Sequence, residues 1–151
     1  MSIEARLTEK GISLPDAPAP AANYVPYVQS GNLVYVSGQI SADENGLITG
    51  KLGENVDVEA GAAAARRCGL ALIAQLRAAT GSLDKVKRVV KLTGFVNSTP
   101  DFTDQPKVIN GCSDLMVEVF GDAGAHARAA VSAPALPLGV AVEIEAIFEV
   151  E

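Results

Sequence analysis

The C-terminal stretch "GAHARAAVSAPALPLGVAVEIEAIFEVE" (residues 124–151) decides the fold. In its second half Val140, Val142, Ile144, Ala146, Phe148 and Val150 point one way, and Glu143, Glu145, Ile147, Glu149 and Glu151 point the other. Successive side chains leave a strand on opposite sides, so this period of two marks a strand with one covered face. The apolar side needs a cover, and the chain upstream supplies two helices.

The nearer helix begins at Thr103 or Asp104 as N-cap, carries Pro106 in its first turn, and runs an apolar stripe of Val108, Ile109, Cys112, Leu115, Met116, Val119 and Phe120 to a stop at Gly121. The farther one starts at Asp57 and repeats Val58, Ala62, Ala65, Gly69, Leu72, Leu76 and Ala79 at helical spacing, with Arg66 and Arg77 on another face and Gly81 as the stop. Between them "VKRVVKLTGFVNS" (residues 86–98) reads as a strand, in which Gly94 signals a bulge or a close backbone approach. Before the helices, "YVPYVQSGNLVYVSGQI" (residues 24–40) reads as two strands around Gly31–Asn32, and "DENGLITGKLG" (residues 43–53) carries a second tight turn at Asn45–Gly46. The order strand-strand-helix-strand-helix-strand-strand is α+β, with both helices on one face of a single sheet. The last two strands, "ARAAVS" (residues 127–132) and the acidic one, are expected to form an antiparallel hairpin through "APALPLG".

At 151 residues the chain suits one domain, with residues 1–24 as an N-terminal helix and an arm holding Pro15, Pro18 and Pro20. The net charge of −6 and a single short basic run, "DKVKRVVK", argue against a nucleic-acid partner, which needs a basic face to neutralise phosphates. The N-terminus has no apolar signal region and no window approaches the ~20 apolar residues of a membrane span, so a soluble, cytoplasmic protein with no membrane partner is expected. Cys68 and Cys112 fall on apolar helical stripes and only one histidine is present, which suits core packing and implies no metal site.

Arg128 is out of place in this pattern. A guanidinium carries five donors and is never neutral, so a run of alanine and valine should reject it unless an anion or carbonyl meets it. If "APALPLG" closes a symmetric hairpin, Arg128 lies level with Glu143, and cross-strand neighbours stand ~5 Å apart at Cβ. The pair is then either a cross-strand salt bridge on a solvated face or an anion site with a carboxylate beside it. Ala127, Ala129 and Ala130 leave room for a ligand.

These residues resemble the RidA/YjgF (reactive intermediate deaminase) family. "PYVQSGNLVYVSGQI" is similar to the family's opening hairpin, "VVKLTGFVNSTPDF" to its middle strand and loop, "VINGC" to its second-helix asparagine, and "ARAAV…LPLGVAVEIEAI" to its C-terminal signature. The resemblance implies a chorismate-mutase-like fold, a homotrimer with ligand sites in the clefts between subunits, and hydrolysis of reactive 2-imino acids such as that from 2-aminoacrylate to 2-keto acid and ammonia. It further implies that Arg128 binds the substrate carboxylate, that Glu143 positions water, and that Tyr27, Ser37, Gly38 and Asn110 line the cleft. The chain departs from the pattern at Ala130, where the family often has cysteine, and at His126, where it often has proline or alanine. No cofactor is called for, because an imine carbon is already electrophilic. The rival readings are a non-catalytic trimer that binds small carboxylates and an endoribonuclease, the second disfavoured by the acidic balance.

Overall fold

A computed structural model describes residues 1–17 and 23–151, so Pro18 and Pro20 of the expected arm lie outside the described residues. Strands β1 (Tyr27–Ser30) and β2 (Leu33–Ile40) form the first hairpin, in which Gly31 takes a positive φ of 62°. A two-residue pair, β3 (Ala42–Asp43) and β4 (Gly46–Leu47), follows at the second expected turn. Helix α2 (Val58–Thr80) is capped by the Asp57 carboxylate, which accepts from the Ala60 amide, and ends at left-handed Gly81. Strand β5 (Val86–Asn97), helix α3 (Gln105–Phe120), strand β6 (Ala127–Ala133) and strand β7 (Val142–Val150) complete the order. A further short helix, α1 (Ile3–Glu9), precedes them, held where Asp84 accepts from the amides of Ile3 and Glu4.

The α+β class with α2 and α3 layered on one face of the main sheet is borne out. Val140, Val142, Ile144, Ala146, Phe148 and Val150 are all buried, as the alternation required. Each buried valine, isoleucine or phenylalanine among them contributes roughly 1.5–3 kcal/mol of burial, which makes β7 the spine of the core. Helices α2 and α3 cross closely through small residues. A Cβ built on Gly111 would stand 2.7 Å from the carbonyl carbon of Ala62, and one on Gly94 would stand 2.5 Å from Ile109 Cδ1, so Gly94 marks a close approach. Cys68 and Cys112 are buried in this helical layer, where desolvation pushes the Cys112 thiol up to about 12. No described helix is long and apolar enough to cross a membrane.

The order of strands corrects one expectation. The sheet runs β1-β2-β7-β5-β6, with β6 parallel to β5 and β7 antiparallel to both β2 and β5. The segments joined by "APALPLG" are therefore not hairpin partners, because β5 lies between them. Two physical causes act together. Strand, helix and strand (β5, α3, β6) form a crossover unit whose strands pair in parallel. Strand β7, apolar along one whole face and flanked on both sides, takes the interior position, while β6 with its small and exposed side chains takes the edge.

Candidate functional site

Register places each expected site residue. Arg128 pairs with Leu92 of β5, Leu92 with Ala146 of β7, Ala146 with Val36 of β2, and Val36 with Tyr27 of β1. Leu92, Ala146 and Val36 are buried beneath the helices, so Arg128 leaves the sheet on the helix side. Glu143 has the opposite parity on β7 and lies on the uncovered face, in the row of Ile40, Phe95 and Val131. Within one chain Arg128 and Glu143 are on opposite faces of the sheet and two strands apart, about 10 Å across it. They form no salt bridge. Tyr27 is in the row of Arg128 but four strands away, about 19 Å, and it packs against the core.

Arg128 is exposed at the free edge of the sheet, and α3 holds it there. Its Nη1 donates to Asn110 Oδ1 at 2.8 Å and to Ser113 Oγ at 3.2 Å. Asn110 and Ser113 stand three residues apart, and this spacing brings them onto one side of the helix. The position of Asn110 off the apolar stripe is thus explained by its contact with the arginine. Ser113, which the sequence reading did not single out, bridges onward to His126: Ser113 Oγ and His126 Nε2 are 2.9 Å apart, and His126 Nδ1 lies 2.6 Å from the Gly124 carbonyl. Its signal was the helical spacing from Asn110. Among the described residues Arg128 makes no ion pair, and its Nε and Nη2 have no acceptor.

The second group lies at the β2–β7 seam. The register of β2 against β7 shifts between Val36 and Gln39, and Gly38 sits in this irregularity beneath the Glu143 carboxyl. A Cβ on Gly38 would stand 3.1 Å from Glu143 Cδ and closer still to Oε2, so the glycine makes the space that the carboxyl occupies. Glu143 is half-buried; desolvation, and then the neighbouring charge of Glu145, holds its pKa above the ordinary glutamate range. Ser37 Oγ donates to the Val25 carbonyl at 2.7 Å, which fastens the incoming chain to β2. Ser37 and Gly38 also line a hollow of about 410 Å³ with Arg67, Ala71 and Gln75 of α2.

The expected residues therefore fall into two groups at separate parts of one sheet: a guanidinium group of Arg128 held by Asn110, and a carboxyl group of Glu143 over Gly38, with Ser37 adjacent. Tyr27 joins neither. The uncovered face mixes exposed apolar side chains with charged ones: Val28, Tyr35 and Val131 remain 53%, 43% and 44% exposed beside Phe95 and Ile147, and Lys91 and Glu145 share the same side of the sheet. A sheet face of this kind is ordinarily covered by another layer or chain.

A mixed five-stranded sheet with two long helices on one face is the YjgF/chorismate-mutase-like arrangement. The model of the family described as "YjgF/chorismate mutase-like, putative endoribonuclease" matches residues 4–149, and the chain belongs to the YjgF/RidA family. It is 53% identical to Protein TCP17 of Trypanosoma cruzi over 149 residues, 97% of this chain and 93% of that one. It is 34% identical to the 2-iminobutanoate/2-iminopropanoate deaminase of Dermatophagoides farinae, with 93% of this chain and 95% of that one covered. The crystal structure of a "putative endoribonuclease" from Shewanella oneidensis superposes with a TM-score of 0.94 at 35% identity, covering 99% of this chain and 100% of that one.

Proposed function

We propose that the chain hydrolyses small 2-imino acids to 2-keto acid and ammonia in clefts between the subunits of a homotrimer. The observation that carries this reading is the state of Arg128: exposed, charged, braced through Nη1 alone, and with its Nε–Nη2 edge unengaged among the described residues. That edge is the planar fork that takes a carboxylate through two charge-assisted bonds. The Dermatophagoides farinae relative, named for deamination of 2-imino acids, supports the substrate class. The net charge of −6 disfavours RNA.

In this reading Arg128 and Asn110 of one subunit hold the substrate, and Glu143, over Gly38, is supplied by a neighbour. The location of these groups on separate parts of one sheet supports a shared site, and the exposed Val28, Tyr35 and Val131 of the uncovered face support self-association. Water adds to the imine carbon while Glu143 takes one of its protons. The carbinolamine then collapses, the C–N bond breaks, and both water hydrogens end on the departing ammonia. A carboxyl whose pKa is raised above the ordinary glutamate range is better matched to such proton exchange than an ordinary glutamate.

The test is keto-acid formation from an enzymatically generated 2-imino acid at equal folded concentrations of wild type and Arg128→Ala. Each charge-assisted bond contributes roughly 1.5–3 kcal/mol, so loss of the fork should lower kcat/KM more than tenfold. If wild type adds nothing to the spontaneous rate across small, branched and aromatic imines, hydrolysis is excluded and the chain is a carboxylate-binding module.

A further inference from the structure

The hydrogen-bond chain behind Arg128 has one direction, which its atom types dictate. The Gly124 carbonyl can only accept, so His126 Nδ1 at 2.6 Å must carry the proton. In the neutral ring Nε2 is then bare and accepts from the Ser113 hydroxyl at 2.9 Å. With its proton committed to His126, Ser113 Oγ turns its lone pairs toward Arg128 and accepts from Nη1 at 3.2 Å. Asn110 Oδ1 takes the other Nη1 hydrogen at 2.8 Å. Both hydrogens of Nη1 are thereby engaged, and the Nε–Nη2 edge is the one left to face outward.

The far end of the chain is rigid. Gly124 is buried against the last turn of α3, where a Cβ would stand 2.6 Å from the carbonyl carbon of Met116 and 2.8 Å from Cα of Val117. The carbonyl that sets the histidine is therefore fixed to the same helix that carries Ser113 and Asn110. A long side chain on an edge strand loses much rotamer freedom when bound, and a brace of this kind removes that cost before the ligand arrives.

We infer that His126, acting through Ser113, is a positioning residue that fixes the guanidinium of Arg128 with its Nε–Nη2 edge turned toward solvent. This rests on the reading of Arg128 as the carboxylate anchor. His126 touches no ligand; it sets the polarity of the bonds that aim the arginine.

The chain has one histidine, so its ring nitrogens can be read without ambiguity. Nitrogen-15 NMR of histidine-labelled protein at a pH where the ring is neutral should find Nδ1 protonated and Nε2 bare, and Ser113→Ala should relax this toward a mixture of tautomers. A ring protonated at Nε2, or an averaged ring in wild type, overturns the inference whatever the protein's activity. A second arm uses pyruvate binding by calorimetry, with thermal melts as the control for folding. Ser113→Ala should weaken binding about tenfold, the loss of one charged hydrogen bond, and Ser113→Thr should restore it. If wild type binds pyruvate and Ser113→Ala binds it equally well, the positioning role is wrong while the anchor reading stands. If wild type binds no pyruvate or other 2-keto acid, the anchor reading falls and this role falls with it.

Discussion

Replacing Gly38 by alanine isolates the placement of the Glu143 carboxyl from the stability of the fold. The new Cβ would stand 3.1 Å from Glu143 Cδ and 3.2 Å from Cγ, with Oε2 nearer still, so the carboxyl must move by about 1 Å to regain ordinary contact. What must give way is the end of a flexible, half-buried side chain and not backbone, and Gly38 does not need a left-handed conformation. The cost in stability should stay within about 1 kcal/mol. A misplacement of about 1 Å in a reacting group, by contrast, lowers turnover on the order of 100-fold. The assay pairs urea denaturation with keto-acid formation from a generated 2-imino acid. Wild-type turnover in a well-folded Gly38→Ala protein would refute the role given to Glu143, and an unfolded variant would refute the claim that only the carboxyl yields.

Two further substitutions probe the framework. Gly111→Ala sets a methyl group against the Ala62 backbone, which no rotamer change can relieve, so it should cost about 3 kcal/mol or more by urea denaturation, above the usual range for overpacking; Gly61→Ala, whose Cβ meets only the ends of Leu52 and Val108, should cost clearly less. The raised pKa of Glu143 means that ionising it is disfavoured in the folded chain, so its contribution is fully present below the ordinary glutamate range and is lost as pH rises through the folded value. Glu143→Gln lacks this loss, and its stability relative to wild type should therefore rise as pH increases from the ordinary glutamate range through the folded value, which denaturation at several pH values will detect.

The two helices and the hairpin strands were legible because each is written in local terms: a capping aspartate, a helical stripe, a terminal glycine, and a period of two. The order of strands was harder to read, because the loop from Ala133 to Val140 looks the same whether its flanking strands pair or are split by a third. The signal lay in the strand, helix, strand unit of β5, α3 and β6, whose crossover demands parallel pairing. That error carried into the site, where Arg128 and Glu143 were expected level with each other and instead lie on opposite faces. Asn110 came from the resemblance to the family, which implied a cleft residue; its bond to Arg128 was not legible from the sequence. Ser113 was missed because a serine on a helix is ordinary until its neighbours are known, and His126 became meaningful only when Ser113 joined it to the arginine.

The central claim, a hydrolytic site shared between subunits, is tested most directly by complementation. Arg128→Ala and Glu143→Gln each remove one half of the site; alone, the first should lower kcat/KM more than tenfold and the second about 100-fold or more. When the two variants are unfolded together and refolded, the proposed trimers would be mixed, and about one quarter of their clefts would pair an intact Arg128 with an intact Glu143 from the neighbour. The account predicts recovery of about a quarter of wild-type keto-acid formation. A mixture no more active than the two variants measured separately would contradict it.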